Sequence, residues 1–173
     1  MVKDHAQRAL FGVFQDGAAV HGLVKIMTLA ATDPRIQHVV DFFEKLTPNA
    51  VSSMGALYTA DAYFKDPFNE VRGLSEVQRI FSHMYVALHE PHFVVTNTVA
   101  QGDECFVVWD FKFRFKRFDT VTVQTVRGCS HLKLADDGRI SFHRDYWDAA
   151  EELYEKLPYV GALMRCLKRR ANS

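Results

Sequence analysis

The chain has 173 residues, 48% hydrophobic and 24% charged, with 21 basic and 21 acidic side chains and a formal net charge of +0. That length suits one domain with a full core, and the missing basic surplus argues against a nucleic-acid partner. No run approaches the roughly 20 apolar residues of a membrane span; "LVKIMTLAA" (23–31) is short and carries Lys25.

Residues 1–34 read as an N-terminal extension. Glycines interrupt them, their helical periodicity is loose, and Met27 offers a second start, so no function is rested on them. Asp33-Pro34 then looks like a capped helix start. Apolar residues at 36, 39, 40, 43 and 46 keep helical spacing up to Thr47-Pro48-Asn49. "VSSMGALY" reads as a short second helix, "DAYFKDP" as a strand stopped by Pro67, and "FNEVRG" as a loop ending at Gly73. "LSEVQRIFSHMYVALHE" is a third helix, with Val77, Ile80, Phe81, Met84 and Leu88 as its apolar stripe. After Pro91 come four extended runs rich in Val, Thr and aromatics: "HFVVTNTVAQ", "ECFVVWDFKFRFKRF", "TVTVQTVRGCSHLKLA" and "RISFHRDYW". An acidic helix and the basic-ended "YVGALMRCLKRR" form a C-terminal tail, 151–173, expected to pack on the domain at 35–150.

Helices followed by an antiparallel meander give an α+β fold, with the helices over the concave face of a strongly bent sheet. Phe is over-used, at 14 of 173 residues, and a surplus of rings can pack a core or line a cavity for an apolar ligand. In "WDFKFRFK", Trp109, Phe111, Phe113 and Phe115 fall on one side; Asp110, Lys112, Arg114 and Lys116 fall on the other. The aromatic set must meet core or a partner, and the expectation is an outer face that forms a homodimer. Cys105, Cys129 and Cys166 have no metal or redox spacing, so free thiols in a cytoplasmic protein are expected, with no metal and no cofactor.

Taken together, "LYTADAYFKDPFNEVRG", the following helix, the four strands and the closing "GRISFHRDYWD" resemble the SnoaL-like branch of the nuclear transport factor 2-like superfamily, over about residues 35–150. The resemblance implies a cone-shaped fold shared by ketosteroid isomerase, limonene epoxide hydrolase and polyketide cyclases, and a fold shared so widely does not fix a reaction. Asp66 of Asp66-Pro67 matches the isomerase's base, but Phe42 and Ser130 stand where its two oxyanion donors belong. Asp145 and Asp110 match the hydrolase's two acids, while Val108 replaces the bridging Arg, and Phe64 and Asp66 replace the residues that hold its water. His143 and Asp145 suit the acid–histidine pair of the cyclases.

The family register puts His143, Asp145 and Trp147 toward a cavity. There Asp145 is a proton-transfer carboxylate or, alternatively, half of a structural ion pair. Asp110, if it converges with Asp145, shares a proton with it; otherwise it belongs to an exposed face. Asp66 is either a base or a turn cap, and Asn69 a ligand contact or a loop hydrogen-bonder. The expected ligand is a small, mostly apolar molecule touching Phe42, Phe64, Asn69, Val108, Ser130 and Trp147. Three functions fit: a cofactor-free isomerase, cyclase or hydrolase; a binding module without turnover; or a dimeric scaffold.

Overall fold

A computed structural model describes residues 33–117, 119–157 and 159–171. The expected extension lies almost wholly outside them. Helix α1 (Pro34–Glu44) starts at the proline, buries Ile36, Val39 and Phe43, and is followed by a 3₁₀ helix at Ala50–Ala56. Strand β1 (Tyr58–Lys65) turns into a three-residue strand β2 (Glu70–Arg72), within the stretch expected to be a loop. Gly73, at φ +102° where an L side chain is strained, launches helix α2 (Leu74–Ala87).

Strands β3 (Leu88–Gln101), β4 (Glu104–Phe115), β5 (Gln124–Leu134) and β6 (Ile140–Tyr146) follow. β3 begins before Pro91 rather than after it. It is an edge strand, where the missing proline N–H breaks no ladder. β5 starts later than its Val/Thr-rich sequence suggests, because Asp119 caps a turn by accepting from Val121 N at 3.3 Å and Thr122 N at 2.9 Å. Asp148 caps the short helix α3 (Ala149–Glu152) by accepting from Ala150 N and Glu151 N. Helix α4 (Val160–Ala171) ends the described chain.

The six strands form one open sheet in the order β2-β1-β6-β5-β4-β3, antiparallel except for the parallel β1–β6 pair. The last strand is therefore inserted beside the first. Phe64 is level with His143 across β1–β6, and Ser130 is level with Asp145 across β5–β6. These two registers gather side chains from both ends of the sequence onto one face.

β4 decides which face is covered. It pairs with β5 without a register break, so its side chains alternate strictly. Trp109 and Phe113 are buried, and with Phe111 and Phe115 they face α2. The expectation that this aromatic set forms an outer face is overturned. Asp110, Lys112 and Arg114 take the outside, where they can be hydrated, while the rings meet the helix-covered interior.

Candidate active site

The site begins at β6. His143 is 2% exposed, and its ring is held edge-on by Phe43 and Phe64, at 5.8 and 4.8 Å between centroids. A buried imidazole needs partners for both nitrogens. Nδ1 lies 2.6 Å from Tyr58 Oη, and Nε2 lies 2.8 Å from Asp145 Oδ1. Ser130 Oγ donates to the same Asp145 oxygen at 2.5 Å and accepts from Trp109 Nε1 at 2.8 Å.

His143 Nε2 also lies 3.2 Å from Ser130 Oγ, and one proton assignment keeps Tyr58 Oη a donor. Tyr58 Oη–H donates to Nδ1, its one partner among the described residues, so the imidazole hydrogen sits on Nε2 and points to Asp145. Asp145 Oδ1 thus accepts from two donors. Oδ2 accepts from none among the described residues and is not a buried unsatisfied atom.

Asp145 lines a chamber of about 470 Å³ between α2 and the sheet, and also borders a more open cleft of about 500 Å³ beside Lys65 and Arg144. Phe93, Trp109, Phe111, Phe113, Phe115 and Trp147 wall the chamber, and Phe68 stands edge-on to Trp147 at 5.4 Å. Leu153 and Leu157 of the C-terminal segment complete the lining. The volume and apolar character are of the kind that suits a small molecule, and the Asp145 and Asp66 carboxylates sit at the wall. A small void of about 10 Å³, lined by Phe43, Ser130, His143 and Asp145 among others, is at the lower limit for one water and is no ligand site.

Phe64, Asp66, Asn69, Asp145 and Trp147 all line the chamber. Asp66 is nonetheless engaged within its own loop: Oδ1 accepts from Phe68 N at 2.7 Å and Asn69 N at 2.6 Å, and both oxygens lie within 3.1 Å of Asn69 Nδ2. It shapes the mouth as a turn cap. Ser130 and His143 sit behind Asp145 and position it.

Three expected positions are corrected. Asp110 lies on the outer face, level with Arg127 and Val94, so it does not converge with Asp145 and no proton is shared between them. Val108 is on that same outer face, level with Cys129. Phe42 is only half-buried and lies edge-on to Phe43, and Phe43 is the ring that meets His143. Each miss is one residue out of phase.

Tyr58, Trp109 and Gly128 were not foreseen as site residues. Trp109 was visible in the alternation of β4, but alternation does not choose a side. Tyr58 gave no signal, since nothing local ties residue 58 to residue 143.

Burial pushes the Tyr58 phenol well above the usual tyrosine range, and the Asp145 charge adds to the effect. The unfolded phenol ionises near about 10. Above that pH the unfolded chain holds fewer protons than the folded one, so stability falls as pH rises. Tyr58→Phe is expected to flatten this alkaline fall. At neutral pH it should cost about 1–3 kcal/mol, because His143 Nδ1 loses its donor inside the core. Urea denaturation at neutral and alkaline pH reads both, and an unaltered alkaline slope would contradict the assignment.

A family model for the SnoaL-like domain matches residues 39–143. The chain belongs to the SnoaL-like family. Solved structures similar to it include a protein from Catenulispora acidiphila with a ketosteroid isomerase-like fold, in complex with trimethylamine: 18% identity, TM-score 0.59, covering 70% of this chain and 91% of that one. A nuclear transport factor 2-like protein from Burkholderia pseudomallei aligns at 16% identity and TM-score 0.60, over 69% and 95% of the two chains. An LEH-like epoxide hydrolase of M. tuberculosis aligns at 13% identity and TM-score 0.56, over 78% and 90%. At these identities the likeness is one of fold. No curated protein matches the chain. In this SnoaL-like protein the sheet is open, and no described helix is long and apolar enough to cross a membrane.

Proposed function

We propose that this SnoaL-like protein is a small cofactor-independent enzyme that binds a mostly apolar molecule in the chamber and removes a proton from it with Asp145. One observation carries the reading: Asp145, which lines the aromatic chamber, has one oxygen engaged by Ser130 and His143 and the other without a partner among the described residues. Fixed donors hold the carboxylate in place before the ligand arrives, so little reorganisation is spent at the reacting step. Isomerase or cyclase chemistry ranks first. Hydrolysis ranks second, because the second acid of a hydrolase pair, Asp110, is on the other face. Cys129 and Cys166 are free thiols, which keeps a cytoplasmic location within this reading.

Deuterium wash-in tests it. Apolar ketones sized to the chamber, neutral and cationic, are incubated with the protein in D₂O, and at least one is expected to exchange the hydrogen next to the carbonyl. Asp145→Asn should abolish the exchange. Binding without any exchange would favour the alternative, a binding module with the same chamber and no turnover.

The homodimer belongs to this reading through a different set of rings. On the outer face Phe106 stacks on His131 at 4.6 Å, Phe142 lies edge-on to His131 at 5.3 Å, and Tyr63 stacks on Phe142 at 5.2 Å. Phe106 is 41% exposed. Sedimentation equilibrium is expected to give twice the chain mass, reduced to one by Phe106→Arg. A monomeric wild type would reject the dimer.

A further inference from the structure

The chamber is unbalanced in charge. Among its lining residues are two carboxylates, Asp66 and Asp145, and no lysine or arginine. Its donors are few. Trp109 Nε1 is committed to Ser130 and Asn69 Nδ2 to Asp66. What remains is the neutral indole N–H of Trp147, and His83, an exposed residue at the rim. When Asp145 takes a proton from carbon, the electron pair of the broken C–H bond stays on the substrate as an enolate or carbanion. Most sites that make such an anion place a positive charge or paired donors over it. This chamber is walled by aromatic rings, whose negative faces repel an anion and attract a cation.

From this we infer that the ligand brings the missing charge itself: the chamber selects a small apolar molecule carrying a positively charged nitrogen. The cation rests on the ring wall formed by Trp109, Phe111, Phe113 and Phe115, and Asp145 supplies the opposing charge. A cationic nitrogen next to the reacting carbon also stabilises the electron pair left there, so recognition and chemistry use the same group. The inference rests on the chamber's being the ligand site and does not require turnover. Inside the chamber it disfavours carboxylate and phosphate ligands, whose charge would meet two carboxylates; the basic residues Lys65 and Arg144 line the neighbouring cleft instead.

The test is a matched pair of probes, benzyltrimethylammonium and its neutral carbon isostere neopentylbenzene. They share shape and differ in one charge. Both tryptophans of the chain, Trp109 and Trp147, line the chamber, so intrinsic fluorescence reports occupancy. In a merely apolar cavity the neutral isostere binds more tightly, because the cation must shed its hydration. A cation-selecting chamber is expected to reverse that order by about tenfold, in line with one desolvated cation–aromatic contact plus an opposing carboxylate. In Asp145→Asn the preference should shrink severalfold while the neutral probe still binds. Tighter binding of the neutral probe to the wild-type protein overturns the charge assignment and leaves the chamber reading standing. Failure of both probes to perturb the tryptophans overturns the chamber reading as well. An unchanged preference in Asp145→Asn removes Asp145 from the recognition. The wild-type ratio decides the charge question even if that variant does not fold.

Discussion

Asp145→Asn is expected to fold like the wild type and to lose turnover by about 10²–10⁴. The two consequences separate because of how the side chain is held. Its structural contacts converge on Oδ1, which accepts from Ser130 Oγ at 2.5 Å and His143 Nε2 at 2.8 Å. An asparagine carbonyl oxygen accepts from the same two donors in the same place, so the network keeps its partners. The open oxygen becomes an amide nitrogen, which has no lone pair available for a proton. Thermal unfolding, tryptophan fluorescence with a neutral ligand and the exchange rate together read the outcome. A variant that exchanges at the wild-type rate would remove Asp145 from the chemistry. One that unfolds would show that the carboxylate's charge, rather than its geometry, holds β6 to β5.

Gly128→Ala is expected to destabilise the protein by about 2–3 kcal/mol, which in a chain of this length lowers Tm by roughly 4–12 °C. Alanine in a strand ordinarily stabilises relative to glycine, so the sign is informative. Gly128 is level with Trp109 across β4–β5, and the indole lies flat over it. A Cβ there would stand 2.3–2.7 Å from three carbons of the indole's six-membered ring. The ring is rigid and buried, so it must be displaced as a whole. Displacement breaks the Trp109 Nε1 bond to Ser130 and frees the hydroxyl that orients Asp145. The variant should therefore lose activity even at temperatures where it remains folded. A Gly128→Ala protein as stable as the wild type would mean that the indole does not occupy this position.

How much of this was legible beforehand depends on the range over which each feature is determined. The helix at Pro34, the apolar stripe of α2 and the four long strands follow from local pattern, and "LYTADAYFKDPFNEVRG", which carried much of the family resemblance, lies inside the family match at 39–143. β2 was missed because three residues between Asn69 and Gly73 are too few for a period to show. The errors at Phe42, Val108 and Asp110 share one cause. A strand's alternation sorts side chains into two sets without saying which is inside, and an ungapped spacing carried from a relative shifts by one residue at any insertion. For β4 the rings themselves held the answer: four aromatics on one side of a strand, against an acid and three basic residues on the other, belong under a helix. Tyr58 was illegible for a different reason, since its meaning lies in a partner 85 residues away.

That distance has a kinetic consequence. The meander from β3 to β6 grows through neighbours in sequence, but the parallel β1–β6 pair closes only after the rest of the sheet has been laid down. Such a non-local closure bears a large loop entropy and comes slowly. Until it happens, β1 and β6 each present an unpaired edge that can capture another chain. The Tyr58–His143 hydrogen bond forms in that same step. The strand that carries Asp145 is thus also the latch of the sheet, and a nascent or misfolded chain cannot display the assembled site before its fold is complete.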